Sequence, residues 1–428
     1  MRWTVTGALA VAQLTAREAL RGRLWLPVVG AALIMAVVAL RLDGVDAEAR
    51  RKLSVALVVG SAGFIAHLLA VLVAAQGVRR DLEGRMALLL FAKPLPRFGY
   101  LLGRWLGGMA AVGAALAALA GIGLGIIAWR SDLPVSRSAI PADAWWRLTA
   151  AGAAEPIAAG QDLVQVSGAA GNGVRLRFGA MPDGDGEILL RAAVLGTEAA
   201  PVTQCAVRID ALDASGGARP LALAAGSPYG QASGDRPGVA VLRDHGEERR
   251  ELDTDYVRVR VDAAARAADG SLTIRVTRLD SAAALRFAVA DGALIAVESG
   301  GFALNLARAT LAMLAAAAPL VAWTLVCACV SNLGVALLGG LTLLFTGSAL
   351  PVLAETLAHE EAAAPLRRIF SVLSWIVPDF DRHHLAARLA ATRAVEWAAV
   401  GDAALYYGAY AALFLGLAWW ALATREVA

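Results

Sequence analysis

The lysines of this chain are the first indication of its chemistry, because only two, Lys52 and Lys93, occur in 428 residues. A nucleotide-binding loop of the Walker type needs a lysine that follows a glycine and precedes a serine or threonine. Lys52 follows Arg51, and Lys93 follows Ala92. The chain therefore cannot supply this loop, and we predict that it binds no cofactor of its own.

Residues that could perform catalysis or hold a metal form no recognisable motif. No Ser-His-Asp or Cys-His arrangement can be assembled locally, although catalytic triads need not be local. Cys205, Cys327 and Cys329 have neither the spacing of a metal site nor that of a disulfide framework. Carboxylates and histidines that follow the fifth apolar run are interpreted as a solvated helical loop, with a metal site as the less favoured alternative: Asp379, Asp381, His383 and His384. We predict no catalytic or metal-binding residue.

A charged amphipathic stretch between two long apolar runs is the best candidate for a functional surface. Its apolar residues recur at helical spacing, and Pro94 and Pro96 would end such a helix. The charged residues on the remaining surface are assigned to the docking of a cytoplasmic partner: Arg79, Arg80, Asp81, Glu83, Arg85, Lys93 and Arg97. The alternative is a solvated helix whose arginines only set orientation and contact anionic lipid.

The elements that must position this stretch are membrane spans. The chain is 58% hydrophobic and 18% charged, whereas soluble domains carry about 25% charged residues. Its mean hydropathy is +0.60, and a span needs roughly 20 apolar residues. We predict an α-helical polytopic membrane protein with a tight hairpin between its fourth and fifth spans. The six predicted spans are Leu24–Leu40, Leu53–Ala75, Trp105–Trp129, Ala309–Val330, Gly334–Leu353 and Ala403–Leu422.

The distribution of positive charge predicts the orientation. Residues 1–23 are interpreted as an amphipathic helix on the membrane surface, because Arg17 and Glu18 interrupt the apolar part that a signal peptide would need. With six spans, this helix, residues 79–104 and the C-terminus lie on one side, where arginines are concentrated. The positive-inside rule puts that side in the cytoplasm. We expect a multi-pass protein of the inner or plasma membrane with both termini cytoplasmic.

A polar insertion, residues 130–300, separates the third and fourth predicted spans. It holds 18 Arg against 22 Asp and Glu, a net charge of −4, so the rest of the +3 chain carries +7. A net acidic insertion argues against nucleic acid as a partner. Short alternating runs between Gly-rich turns predict an all-β extracytoplasmic domain, an antiparallel sandwich of jelly-roll type. The predicted strands are 163–167, 174–178, 187–194, 204–209, 239–242, 256–261, 271–277, 285–289 and 293–297.

Three further features have two interpretations each. His67 lies in the middle of the second predicted span, where a histidine either bonds a neighbouring helix or belongs to a translocation path. Gly103 and Gly107 form a small-xxx-small pair that suits close helix packing, within the chain or between two copies. Trp145 and Trp146 are either membrane-interface anchors or core residues of the insertion.

The stretch from Asp81 to Gly107 resembles the first cytoplasmic loop of ABC exporter permeases of the second type. It is most similar to the permease of the nitrous-oxide-reductase maturation transporter. The likeness rests on an acidic residue at Asp81 or Glu83, the run from Lys93 to Arg97, and the Leu-Gly-Arg entry into the third span at residues 102–104. Residues 16–21 are similar to the family's elbow helix, and residues 376–381 to its Pro-containing external motif. The long insertion at 130–300 departs from the family, in which this connection is usually short.

The resemblance implies a permease subunit of an ATP-driven exporter rather than an enzyme. ATP would be bound by a separate ABC ATPase subunit that docks on residues 79–104, and a second permease copy or a related subunit would complete the dimer in the lipid membrane. The β-domain would gate the exit or meet an external protein or glycan. The competing hypothesis is a non-transporting receptor or assembly scaffold whose β-domain binds a ligand or protein. The domain division is 1–23, 24–129, 130–300 and 301–428, with an external helical loop at 354–398.

Overall fold

The computed structural model divides the chain into two compact units. The helical unit comprises Met1–Pro134 and Gly301–Ala428, and the β unit comprises Val135–Gly300. The structure describes residues 2–22, 25–41, 47–83, 96–130, 135–158, 161–179, 186–195, 204–213, 217–222, 231–232, 239–243, 257–261, 265–267, 269–281, 284–289, 292–359, 372–373 and 375–424.

The described part of the helical unit contains eight main helices. They are α1 (Arg2–Arg21), α2 (Trp25–Arg41), α3 (Ala47–Glu83), α4 (Arg97–Arg130), α5 (Phe302–Val330), α6 (Leu333–His359), α7 (Leu385–Ala390) and α8 (Trp397–Thr424). Among the described residues, five helices are long and apolar enough to cross a membrane, namely α3, α4, α5, α6 and α8. The chain is therefore a multi-pass membrane protein.

The first of the six predicted spans is the exception. Leu24–Leu40 corresponds to α2, which has 17 residues and a shorter apolar stretch at Val28–Val38. At about 1.5 Å per residue, such a helix is roughly 25 Å long, slightly less than the thickness of a bilayer core. The other five predicted spans are confirmed as apolar helices long enough to cross a membrane. That Leu24–Leu40 crosses the membrane stays a prediction.

The hairpin predicted between the fourth and fifth spans is confirmed. α5 ends at Val330 and α6 begins at Leu333. The Asn332 side chain accepts a hydrogen bond from the backbone N–H of Val335 at 2.9 Å, which caps the start of α6. The Ser331 hydroxyl donates to the carbonyl of Cys327 at 2.6 Å and so caps the end of α5. A polar pair in a long apolar run thus ends one helix and begins the next.

Helix α5 lies at the centre of the helical unit and contacts α3, α4, α6 and α8. Alanines at positions 309, 317 and 322 are fully buried on it, and small side chains let helices approach closely in a membrane. α8 has large apolar side chains on its exposed surface, including Leu405 and Trp420. Such a surface suits contact with lipid.

The described part of the β unit contains fifteen strands. They are β1 (Val135–Pro141), β2 (Ala144–Leu148), β3 (Ala154–Pro156), β4 (Leu163–Val166), β5 (Gly173–Phe178), β6 (Gly186–Leu190), β7 (Ala193–Leu195), β8 (Gln204–Leu212), β9 (Ala218–Pro220), β10 (Gln231–Ala232), β11 (Val239–Arg243), β12 (Val257–Val261), β13 (Leu272–Arg278), β14 (Ala284–Ala288) and β15 (Ala293–Gly301). All nine predicted strands are present, the run 187–194 being divided into β6 and β7.

Three antiparallel sheets share one hydrophobic core. Their strand orders are β1-β15-β6-β12, then β10-β11-β8-β13-β5-β2-β3 with β9 beside β8, and β4-β14-β7. Strand β13 alternates between buried and half-buried residues along its length, as expected of a strand with one face in a core. Ile274, Ile188 and Phe287, one from each sheet, belong to the same buried cluster. The β unit is therefore a sandwich-like all-β domain.

Candidate coupling site

A buried arginine joins three helices of the helical unit. Arg104 of α4 is 3% exposed. Its Nε donates a hydrogen bond to Asp81 Oδ2 of α3 at 3.0 Å, and its Nη2 donates to the same oxygen. Its Nη1 donates to Glu18 Oε2 at 2.9 Å and to Thr15 Oγ1 at 3.1 Å, both on α1. One guanidinium thus binds α1 and α3 to α4.

Tyr100 completes this group one helical turn before the arginine. Its hydroxyl donates to Asp81 Oδ2 at 2.6 Å, and Tyr100 and Asp81 are 2% and 5% exposed. Charges are rarely buried unless they are paired and hydrogen-bonded, because desolvation is costly. We call Thr15, Glu18, Asp81, Tyr100 and Arg104 the arginine cluster.

Helical spacing explains why these residues meet. Tyr100 and Arg104 are four residues apart on α4, and Thr15 and Glu18 are three apart on α1, so each pair lies on one face of its helix. The hydroxyl of Thr15 donates to the carbonyl of Val11 at 2.9 Å and so offers its oxygen to the arginine. The cluster is therefore assembled from two local pairs and one carboxylate.

Two glycines allow α1 to approach α4 closely enough for these bonds. A Cβ atom added to Gly103 would lie 2.6 Å from the carbonyl oxygen of Ala8, and one added to Gly107 would lie 2.5 Å from that of Ala12. Both distances are far below a normal contact, so the space at these positions is already filled by α1. The small-xxx-small pair lies against α1 of the same chain.

Arg97 lies at the same end of the helical unit and binds another helix terminus. Its Nη1 donates to the carbonyl of Leu422 at 3.1 Å and to that of Ala423 at 2.7 Å. The last carbonyls of a helix have no partner within the helix, and a cation near them is favourable. α8 therefore ends beside the start of α4. We call this end of the unit, where α3 ends, α4 begins and α8 ends, the cluster end.

The predicted docking residues have different positions relative to the cluster. Asp81 and Arg97 take part in buried or capping contacts, whereas the sequence pattern predicted both on an exposed surface. Arg79, Arg80 and Glu83 belong to the last turns of α3, and their side chains lie outside the description. Arg85 and Lys93 lie outside the described residues, as does the predicted docking helix around them.

The opposite end of the unit is formed by residues 375–396, and we call it the loop end. Asn305 of α5 is buried there. Its amide nitrogen donates to the carbonyl of Arg393 at 2.8 Å, and its amide oxygen accepts from the backbone N–H of Val395 at 2.6 Å. One side chain thereby satisfies two backbone groups of the stretch between α7 and α8, which forms no helix.

Tyrosines of α8 bind the same segment. The hydroxyl of Tyr406 accepts from the backbone N–H of Asp379 at 3.1 Å, and the hydroxyl of Tyr407 donates to the carbonyl of Asp379 at 2.7 Å. The Tyr410 hydroxyl donates to the carbonyl of Trp375 at 2.8 Å. The described part of the predicted external loop is thus packed onto the spans.

His67 lies between the spans and this loop. Its ring packs against that of Phe380, with centroids 5.8 Å apart. Among the described residues, its Nε2 has no hydrogen-bond partner. The structure therefore places His67 in contact with the loop end and away from the arginine cluster.

The polar residues of the loop have perturbed acidity but no metal-binding geometry. Burial lowers the pKa of His383, although Asp402 at 3.8 Å acts in the opposite direction. Burial raises the pKa of Asp379. Within the described ranges, no three histidine, cysteine or carboxylate side chains are grouped so that they could hold a metal ion.

No pattern in the sequence marked Thr15, Glu18, Tyr100 or Arg104 as members of one site. The available signal was that Glu18 and Arg104 are ionisable residues at the edges of apolar runs, where an unpaired charge is costly. The arrangement links α1 to α3 and α4, the two helices that border residues 84–95. Comparison of the chain with protein-family models, with curated proteins and with solved structures gave no match.

Proposed function

We propose that the chain is the permease subunit of an ATP-driven ABC exporter, with ATP hydrolysis in a separate subunit. The observation that carries this proposal is the arginine cluster, which binds the two helices that flank residues 84–95 to each other and to α1. This is the segment that resembles the family's docking loop. A force applied there would reach α1, α3 and α4 together.

Transmission requires that the flanking helices move as a body. A surface loop on unpaired helices would absorb a displacement by local bending, whereas packed and hydrogen-bonded elements shift between discrete arrangements. Asp81 lies two residues before the end of α3, and Arg97 is the first residue of α4. The docking segment is thus held within one turn of each of its ends.

A six-span layout is supported by the position of α2. α1 lies at the cluster end, through Glu18 and Arg104, and α3 begins at the other end because its last residues lie in the cluster. A crossing between Arg21 and Ala47 would connect these two ends. Trp25 lies beside Leu69 and Val73, towards the cluster end of α3. We propose that α2 makes this crossing.

The proposed orientation places the cluster end in the cytoplasm. α1, the end of α8 and residues 84–95 then share one side, which carries most of the positive charge of the connections. The ATPase subunit, and a second permease copy in the membrane, would be the partners on this layout. The β unit would then lie outside the cytoplasm.

We also propose that the β unit is a jelly roll. For this comparison we number eight strands of the two larger sheets from 1 to 8 in chain order: β1, β5, β6, β8, β11, β12, β13 and β15. With these numbers, the strand order is 1-8-3-6 in one sheet and 2-7-4-5 in the other. Two four-stranded sheets in which the first strand pairs with the last are what two interlocked Greek keys produce.

Co-purification tests the proposed coupling. The full-length protein is isolated from native membranes, and the bound subunits are identified by mass spectrometry. We expect an ABC ATPase, and we expect Glu83→Ala with Arg85→Ala to remove it or to uncouple its hydrolysis from the permease. Arg17→Ala, which removes an exposed charge of α1, is the control. Normal binding and normal coupling in the double variant would contradict the proposal.

A non-transporting receptor or scaffold is the second candidate, because the β unit has a pocket of its own with aromatic and polar walls. Isolation of the protein with a kinase or another regulator, and without an ATPase, would favour this function.

A further inference from the structure

A pocket of about 250 Å³ lies in the β unit, where β2 begins and β3 ends. This volume is slightly below the usual range of small-molecule sites, about 300–1,000 Å³, and suits a ligand of one ring. Ten described residues line the pocket, among them two tryptophans and two polar residues: Trp145, Trp146, Asp143 and Gln161.

Trp145 gives this pocket a fixed aromatic wall. The residue is 5% exposed, and its ring packs against Phe287 with centroids 6.0 Å apart. Its indole nitrogen is closed off from solvent, so the residue contributes the surface of its ring and no hydrogen-bond donor to the pocket.

Backbone hydrogen bonds of the sheet fix the position of two residues of the pocket wall, one polar and one apolar. The N–H of Asp143 donates to the carbonyl of Arg177 at 2.8 Å, and that of Ile157 donates to the carbonyl of Trp145 at 3.0 Å. The exposed carboxylate of Asp143 can only accept hydrogen bonds, whereas the amide of Gln161 can donate and accept. No arginine, lysine or histidine is among the described residues that line the pocket.

We infer that this pocket binds a neutral sugar ring. A hexose has apolar C–H faces that pack on aromatic rings, and hydroxyl groups that both donate and accept. Asp143 supplies an acceptor, and Gln161 supplies both a donor and an acceptor. An acidic sugar would be repelled by Asp143. The inference does not depend on the transport function.

Calorimetric titration of the full-length protein in lipid nanodiscs tests this site. The probes are glucose, mannose, galactose and N-acetylglucosamine, with glucuronic acid as the acidic counterpart of glucose. We expect saturable binding of at least one neutral probe, and binding of glucuronic acid at least about tenfold weaker than that of glucose, because of the charge of Asp143.

Two substitutions that preserve shape locate the binding. We expect Asp143→Asn to weaken binding of the best neutral probe by about tenfold, through loss of a charge-assisted acceptor. Gln161→Glu keeps the shape of the side chain but removes the amide donor, with an expected loss of about three- to tenfold. Glu155→Gln, an equivalent change on β3 outside the pocket, should leave the affinity unchanged.

Either of two results would overturn the inference. One is the absence of saturable binding by every neutral probe, and the other is unchanged affinity in both Asp143→Asn and Gln161→Glu. Thermal unfolding of each variant confirms that the β unit is folded. Asp143→Asn should still co-purify with the ATPase. The sugar site and the proposed coupling are therefore tested separately, and failure of one test leaves the other unaffected.

Discussion

The two ends of the helical unit are held together by different chemistry. At the cluster end, Arg104 binds Asp81 and Glu18, side chain to side chain, and so joins three helices. At the loop end, Asn305 and Tyr407 bind backbone groups of an irregular segment. One end is a charged cluster between regular elements. The other consists mainly of neutral side-chain bonds to the backbone of a loop, with one charged donor, Arg308, whose Nη1 donates to the carbonyl of Val395 at 3.3 Å.

The reason lies in which backbone groups are already satisfied. The interior of a helix has no free N–H or C=O, so helices can be joined by polar bonds only through side chains. An irregular segment leaves backbone groups that need partners, and amide and hydroxyl groups supply them without the desolvation cost of a charge. We therefore expect damage at the cluster end to spread through the unit and damage at the loop end to remain local.

The largest effect is expected from Arg104→Ala. The change leaves Asp81 buried without its counter-ion, which typically costs about 3–5 kcal/mol. Thermal unfolding in detergent measures the loss, with the exposed Arg17→Ala as the control. Replacing both partners, as Arg104→Gln with Asp81→Asn, should restore part of the stability because no uncompensated charge remains. A single variant as stable as the parent would mean that the cluster does not hold the helices.

Gly107→Ala tests the approach of α1 to α4 with a matched glycine. Its new methyl group would meet the backbone of α1 at 2.5 Å, whereas one at Gly121 on the same helix would meet nothing within 4 Å. We expect Gly107→Ala to lower stability by about 3 kcal/mol through overpacking. Gly121→Ala should be neutral or stabilising by up to about 1 kcal/mol. Equal effects at the two positions would contradict the close packing of α1.

Asn305→Ala tests whether the loop end responds locally. Two backbone groups, the carbonyl of Arg393 and the N–H of Val395, lose their partner, at a cost of about 2 kcal/mol. Trypsin should cleave faster after the loop arginines, while a disulfide crosslink engineered between α1 and α4 should form as before. Asn305→Asp keeps the acceptor for Val395 but buries a charge opposite the carbonyl of Arg393, so its effect should be at least as large. Weakened crosslinking of α1 in Asn305→Ala would show that the two ends are not independent.

The smallest effect is expected from the titration of His383. Burial lowers its pKa, so the native state binds fewer protons than the unfolded chain below about pH 6.5. Its contribution to stability is present above that pH and is lost as the pH falls. His383→Gln should therefore lose less stability than the parent between about pH 7.5 and pH 5.5. Asp402, Arg382 and Asp379 are retained in both proteins, so the difference reports this histidine.

Much of the fold could be predicted from the sequence, because its signals are local. Uncharged runs of sufficient length gave five of the spans, and Ser331-Asn332 marked the hairpin. Alternation gave nine strands, but β3 and β9 have only exposed residues and therefore carry no alternating pattern. Trp145, for which two interpretations were open, is a core residue of the β unit.

The arginine cluster could not be predicted, since its members are up to 89 positions apart in the chain. Asp81 was predicted as a surface charge because its neighbours along the helix are charged. Its burial follows from the packing of α4 and α1 over the end of α3. No periodic pattern within α3 contains that information.

The amino-acid sequence determined which segments are apolar helices, which are strands, and where charge is concentrated, because these properties depend on neighbouring residues. Only the tertiary structure decided which charges are paired. Tyr100 and Arg104 face Asp81 where α4 packs on α3, and Gly103 and Gly107 leave room for α1 on α4. Burial and partner choice are set by contacts between distant parts of the chain, and these contacts exist only once the helices are packed.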